Sequence, residues 1–189
     1  MSTSFIPNPT IKGLYTSWNQ NQQKLLLQGE ILVQTRSHNI WGGCVTALMY
    51  LPLSRLNVWQ QITNYSRWVE YFPDITKSQI ISPGEIKRLY QKAEKAFLFF
   101  TAQVEIHLNV IEVLEKQVHF RMEKGTFEDF SAYLELQDLG DGTLLMYTVK
   151  ATPNIHIPSI FIQQAMNFEL PNNMRNMRHV LCNGKFNLK

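Results

Sequence analysis

Cysteine is nearly absent from this chain. There are two in 189 residues, Cys44 and Cys182, far apart in sequence. That excludes the disulfide framework of a small secreted scaffold. His179 stands three residues before Cys182, but one such pair without a second makes no metal site, and the five histidines are otherwise scattered. The expectation is two free thiols in a reducing cytoplasm, with no metal and no other cofactor. No apolar run approaches the roughly 20 residues that span a bilayer, and the first residues lack the charged-then-apolar order of a secretory signal. Charge of one sign is also scarce: 18 basic against 15 acidic residues, a net of +3. Lys87, Arg88 and Lys92 are the densest basic group, and strand alternation divides them between two faces, so no nucleic-acid partner is expected. A glycine-rich phosphate loop is missing too, because Gly42-Gly43 and Gly140/Gly142 stand in turns between strands. No Ser-His-Asp arrangement can be argued, and no catalytic residue is assigned.

What is present is a core-forming composition, 44% hydrophobic, over a length that suits one domain. Residues 1–24 show little sign of regular structure: Pro7 and Pro9 break helices and residues 19–23 are a polar run. This segment is read as a mobile arm, in which Phe5, Leu14, Tyr15 and Trp18 could dock on the domain or on a partner. Residues 25–182 are read as the domain and 183–189 as a frayed tail.

Within the domain, alternation begins at Leu25, and Gly42-Gly43 either separates two strands or bends one. Ser54 is a candidate helix cap, followed by Leu56, Trp59 and Ile62 at helical spacing. Trp68, Tyr71 and Phe72 form a second short helical turn, stopped by Pro73. Ser82-Pro83-Gly84 is a turn between two strands. Leu98, Phe100, Ala102, Val104, Ile106, Leu108 and Val110 share one parity, with Gln103, Glu105, His107 and Asn109 on the other. That is the cleanest period-two pattern in the chain. Val118, Phe120 and Met122 continue it, as do Phe130, Ala132, Leu134 and Leu136. The same parity sends His107, His119, Arg121 and Tyr133 outward. Residues 144–149 are apolar on both parities, so their faces cannot be assigned. Phe161, Ala165 and Phe168 then make a helical stripe, and Pro171 is expected to kink or restart that helix. The class is α+β: a curved antiparallel sheet of about six or seven strands, two short helices after the first strand, and a long C-terminal helix.

That order is the helix-grip order, and local words agree with it. Val58-Trp59 opens a helix, and Asn64-Tyr65 with Trp68 leads into Tyr71-Phe72-Pro73-Asp74. Lys87-Arg88-Leu89 with Gln91, Gly125-Thr126-Phe127 with Phe130, and Gly142-Thr143-Leu144-Leu145 with Tyr147 follow in sequence. Pro158, Phe161-Ile162 and Leu170-Pro171-Asn172-Asn173 complete the series. Over residues 26–180 the chain resembles the START-like superfamily. Its nearest flavour is the polyketide cyclase/dehydrase and coenzyme Q-binding branch, as in uncharacterised proteins of photosynthetic bacteria. The resemblance implies a helix-grip (START/Bet v 1-like) fold and a cavity for lipids, sterols, quinones or polyketides.

The expected function is binding or carriage of a hydrophobic small molecule, such as an isoprenoid quinone, lipid or pigment precursor. Phe100, Val104 and Leu108 would line one wall, with Phe120, Met122, Phe130 and Leu134 beside them. Phe161, Ala165 and Met166 would close the cavity from the last helix. A void there would forfeit dispersion contacts that a guest restores, at about 0.8 kcal/mol per buried CH₂. Trp68, Tyr71 and Phe72 are candidates for a lid, whose exposed rings would allow transient contact with a membrane surface. Arg88 and Tyr90 share a parity with Ile86 and are read as pointing inward. They are the candidates if the protein is instead a cyclase- or dehydratase-like enzyme. A third reading is a protein-interaction module using the N-terminal arm or the outer sheet face. The protein is expected in the cytoplasm, at most peripheral to a membrane.

Overall fold

The computed structural model describes residues 10–37, 40–97, 100–154 and 159–184, apart from the side chains of 37, 95–97, 100–102 and 159–166. Alternating residues pleat into eight strands: β1 (Leu32–Ser37), β2 (Gly43–Leu51), β3 (Ile75–Ser82), β4 (Ile86–Phe97), β5 (Phe100–Val113), β6 (Gln117–Gly125), β7 (Phe127–Leu139) and β8 (Gly142–Pro153). They form one antiparallel sheet in the order β1-β2-β8-β7-β6-β5-β4-β3. The count exceeds the expected six or seven because the glycines separate β1 from β2 and do not merely bend one strand. The pair of short helices therefore follows the second strand.

Those helices are α3 (Arg55–Ile62) and α4 (Trp68–Tyr71), joined by a 3₁₀ turn at Tyr65–Arg67. Ser54 caps α3 as expected, its Oγ accepting from the Asn57 N–H at 3.4 Å. The orphan carbonyls at the end of α3 are taken by aromatic tips from the next element. Trp68 Nε1 donates to the Ile62 carbonyl at 2.8 Å, and the Tyr71 hydroxyl donates to that of Gln61 at 3.0 Å. The long helix α5 (Ser159–Asn183) runs unbroken through Pro171 and packs on β1, β2 and α4. Leu170, Met174, Met177 and Leu181 are its buried side. Asn176 Nδ2 donates to the Glu70 and Tyr71 carbonyls, and Gln61 Nε2 to that of Leu181, so its lower half is tied to α3 and α4. Arg178 Nε donates to the Tyr50 carbonyl at 3.0 Å. Its guanidinium comes within 2.8 Å of where a Cβ on Gly29 would stand, and Gly29 has φ +100°, so the backbone favours glycine there.

Residues 11–24, expected to lack regular structure, and 25–27, expected to begin a strand, form two helices. Thr10 caps α1 (Ile11–Ser17). The polar run is a reciprocal capping box at the start of α2 (Gln20–Leu27): Asn19 Oδ1 accepts from the Gln22 N–H at 2.9 Å, and Gln22 Oε1 from the Asn19 N–H at 3.1 Å. Ile11, Leu14 and Leu26 are buried against Leu48, Tyr133, Leu144 and Met146 on the outer face of the sheet. The Ile11 N–H, at the first turn of α1, is bonded by the Glu135 carboxylate. The sheet therefore has two cores. The larger lies inside its curve, among β2 and β5–β8, α3, α4 and α5; the smaller lies between β2, β7, β8 and the N-terminal helices. Both cysteines are free, Cys44 buried and Cys182 half-buried.

Candidate ligand-binding site

Register decides which side chains enter the curve. Leu89 pairs with Leu108, Gln91 with Ile106, Ala93 with Val104, Leu108 with Met122 and Leu134 with Tyr147. All of these are on the inner face. Arg88 and Tyr90 have the other parity and face outward, contrary to expectation. Arg88 makes a two-pronged bond to Glu123, at 2.9 and 2.7 Å. Tyr90 lies against the His107 ring at 5.0 Å and under the Lys77 ammonium. The expectation fails at Ile86, whose apolar side chain imitates an inward marker; it is 55% exposed on the outer face.

The inner core is largely filled by aromatic rings. Trp68 meets Phe120 edge-on at 5.1 Å and stacks with Phe72 at 5.3 Å, and Tyr65 meets Phe120 edge-on at 6.0 Å. Leu108, Phe120 and Leu134 are fully buried in this packing and Met122 lies at its margin. They hold the wall up and do not line the cavity. Trp68, Tyr71 and Phe72 are buried as well, so they present no exposed rings to a membrane. Tyr71 is 0% exposed, with its hydroxyl committed to Gln61, and does not reach the cavity.

A cavity of about 240 Å³ remains above this packing. Trp68, Phe72 and Ile75 bound it on one side, Gln91, Ala93, Val104 and Ile106 on the sheet, and Phe127, Phe130 and Tyr147 opposite, with Asp74 at its edge. Of the expected lining residues, Trp68, Phe72, Val104 and Phe130 are brought together here. Phe100, Phe161, Ala165 and Met166 lie in β5 and α5, but their side chains are outside the described residues. Phe127, which touches Phe130 at 5.5 Å, and Ile106 were missed, although the parity of Val104 would have supplied Ile106. Tyr147 was missed because its strand is apolar on both parities. Its ring lies 6.3 Å from Trp68 and 5.9 Å from Phe72. Burial alone pushes its phenol upward, with no charged neighbour contributing.

A second cleft, of about 400 Å³, lies where the 3₁₀ turn meets β3, between Thr63, Tyr65, Gln79, Ile80, Pro83 and Lys87. Polar side chains rim it, but most of the surface they expose to it is apolar, and the charges beside it satisfy one another. Glu112 Oε1 accepts from Lys87 Nζ and from the Tyr65 hydroxyl, each at 2.6 Å. Burial first, and then Glu112, push the Tyr65 phenol upward. Among the described residues, no three histidine, cysteine or acidic side chains come together as a metal site would require, and no helix is long and apolar enough to cross a membrane.

Residues 51–178 match the family model described as polyketide cyclase/dehydrase and lipid transport. Solved structures share the fold at low identity. A START superfamily protein from Mycobacterium smegmatis superposes with a TM-score of 0.62 at 13% identity, over 81% of this chain and 97% of that one. A STAR-related lipid transfer protein from Xanthomonas axonopodis gives 0.63 at 16%, over 80% and 93%. A protein from Thermus thermophilus gives 0.60 at 15%, over 72% and 92%. No curated protein matches the chain by sequence.

Proposed function

The chain belongs to the polyketide cyclase/dehydrase and lipid transport family, and from that premise we propose that it binds and carries an apolar small molecule in the cavity beside Trp68 and Tyr147. An isoprenoid quinone, a lipid or a pigment precursor is the class of guest. One observation carries this reading: a cavity with mostly apolar walls persists inside an otherwise close-packed sheet. The work done there is sequestration. Apolar ligand surface leaves water at about 0.8 kcal/mol per CH₂, and a few polar groups set its orientation. The lipid transfer protein from Xanthomonas axonopodis shares this architecture and supports the reading. The cyclase alternative loses its two named residues, since Arg88 and Tyr90 point away from the cavity.

Organic extraction and native mass spectrometry of the purified protein test the proposal. A copurifying apolar molecule is expected, and it should be lost from Val104→Trp, in which an indole fills the space. Absence of any such molecule, together with failure to bind added apolar probes, would overturn it.

A further inference from the structure

Among the described residues, three polar side chains interrupt the cavity's apolar wall: Asp74, Gln91 and Tyr147. Gln91 is largely committed. Ser78 Oγ lies 2.6 Å from the Tyr65 carbonyl oxygen and 3.1 Å from Gln91 Nε2. A carbonyl only accepts, so the single serine proton goes to Tyr65, and Ser78 must accept from the Gln91 amide. That holds the Gln91 NH₂ away from a guest and leaves Oε1 as an acceptor. Tyr147 is different. It is 6% exposed, and its inner-face neighbours are the rings of Trp68 and Phe72. Among the described residues its hydroxyl has no hydrogen-bond partner, and burial is the sole influence on its proton. The oxygen is not sealed among the described side chains, so it meets the cavity space and can take a partner from a guest there.

We propose that the Tyr147 hydroxyl is the polar anchor of this cavity, and that the guest is a neutral ring compound whose uncharged oxygen, a hydroxyl or a carbonyl, bonds to it. This rests on the cavity-binding reading and narrows it. Flat aromatic walls at Trp68, Phe72, Phe127 and Phe130 suit a ring. The volume of about 240 Å³ lies below the roughly 300–1,000 Å³ of ordinary small-molecule pockets, which suits one or two fused rings. No lysine or arginine lines the cavity among the described residues, and the acidic side chain in its wall is that of Asp74. An anionic guest would give up its hydration without a counter-charge.

Titrating the full chain with 2-naphthol, naphthalene and 2-naphthoate, beside Tyr147→Phe, tests this. The wild-type protein should bind 2-naphthol most tightly and 2-naphthoate least. Tyr147→Phe should weaken 2-naphthol by about 2- to 10-fold, the range of one hydrogen bond, and leave naphthalene unchanged. The ligand-free variant should melt close to the wild-type temperature, because the hydroxyl it removes has no partner among the described residues. Unchanged 2-naphthol affinity in the variant, or tightest binding of 2-naphthoate, would overturn the anchor while leaving the cavity function intact. A lower melting temperature would do the same, by showing that the hydroxyl is bonded within the protein. If none of the three probes binds the wild-type chain, the cavity function itself falls, and the anchor with it.

Discussion

The two halves of the sheet use their outer faces differently. On β2 and β8, the outer residues Leu48, Leu144 and Met146 are 0–2% exposed beneath α1 and α2. On β4–β6, the outer residues are Arg88, Tyr90, His107 and Arg121, and even the apolar Ile86 and Ile111 stay partly in water. A sheet with one dry face alternates in sequence, whereas a sheet with two dry faces does not. The difference shows where a second layer has been added, and it locates that layer without reference to the layer itself.

The comparison can be broken most forcefully by deleting residues 1–28, which uncovers the outer side of β2 and β8. Stability should fall by on the order of 5 kcal/mol or more, a large share of what a domain of this kind possesses. Urea unfolding measures this, and dye binding should report the bared apolar surface. An unchanged midpoint would mean that α1 and α2 do not cover the sheet. Next in size is Leu48→Ala, expected to destabilise by about 2–5 kcal/mol. Its companion Ile111→Ala, 39% exposed on the uncovered half, should cost less than about 1 kcal/mol. Equal losses would erase the distinction between the halves.

A smaller effect concerns pH. The His119 ring lies 4.5 Å from that of Tyr133 and tilted to it, on the border between the halves, and its pKa is lowered by burial and then by Arg121. A depressed histidine contributes stability that is present above its unfolded value of 6.5 and lost as pH falls through the folded pKa. Glu135, on the same face of β7, has its pKa raised by burial, against the bonds from Tyr133 and Ile11. Its contribution has the opposite sign: fully present below its unfolded value of 4.5 and lost as pH rises through the folded pKa. Replacing His119 with Phe should therefore flatten the loss of stability just below neutrality, and Glu135→Gln should not. Thermal melts across about pH 4–8 decide this, and an unchanged profile in the His119 variant would contradict it. The smallest effect is expected from Arg88→Ala. Its pairing with Glu123 is half exposed and worth about 0–1 kcal/mol, and probe binding in the cavity should not change. A loss of binding there would return Arg88 to the site.

Legibility in the sequence follows the same division. Phe120, Phe130 and Leu134 can be placed on the inner face because Arg121, Ser131 and Tyr133 alternate with them. Tyr147 cannot, because Leu144 and Met146 on its other side are as apolar as Leu145. The missing alternation is itself the trace of α1 and α2, which escape notice because an Asn-x-x-Gln capping box looks like a featureless polar run. Arg88 and Tyr90 are misplaced for the complementary reason: one exposed isoleucine on an outer face imitates an inner residue. Pro171 leaves α5 continuous, since side-chain ties on Gln61, Asn176 and Arg178 hold the lower half in place whatever the proline removes from the backbone ladder.

The seating of α1 on β7 and β8 sets an order of assembly. Ile11 and Leu14 are synthesised long before their partners Tyr133, Glu135, Leu144 and Met146. α2 meets β2 across a short stretch of chain, but α1 must wait for β7 and β8, and the loop it closes is long. α1 is thus seated after α2 although it precedes it in the chain, and Leu144 and Met146 lack its cover until it arrives.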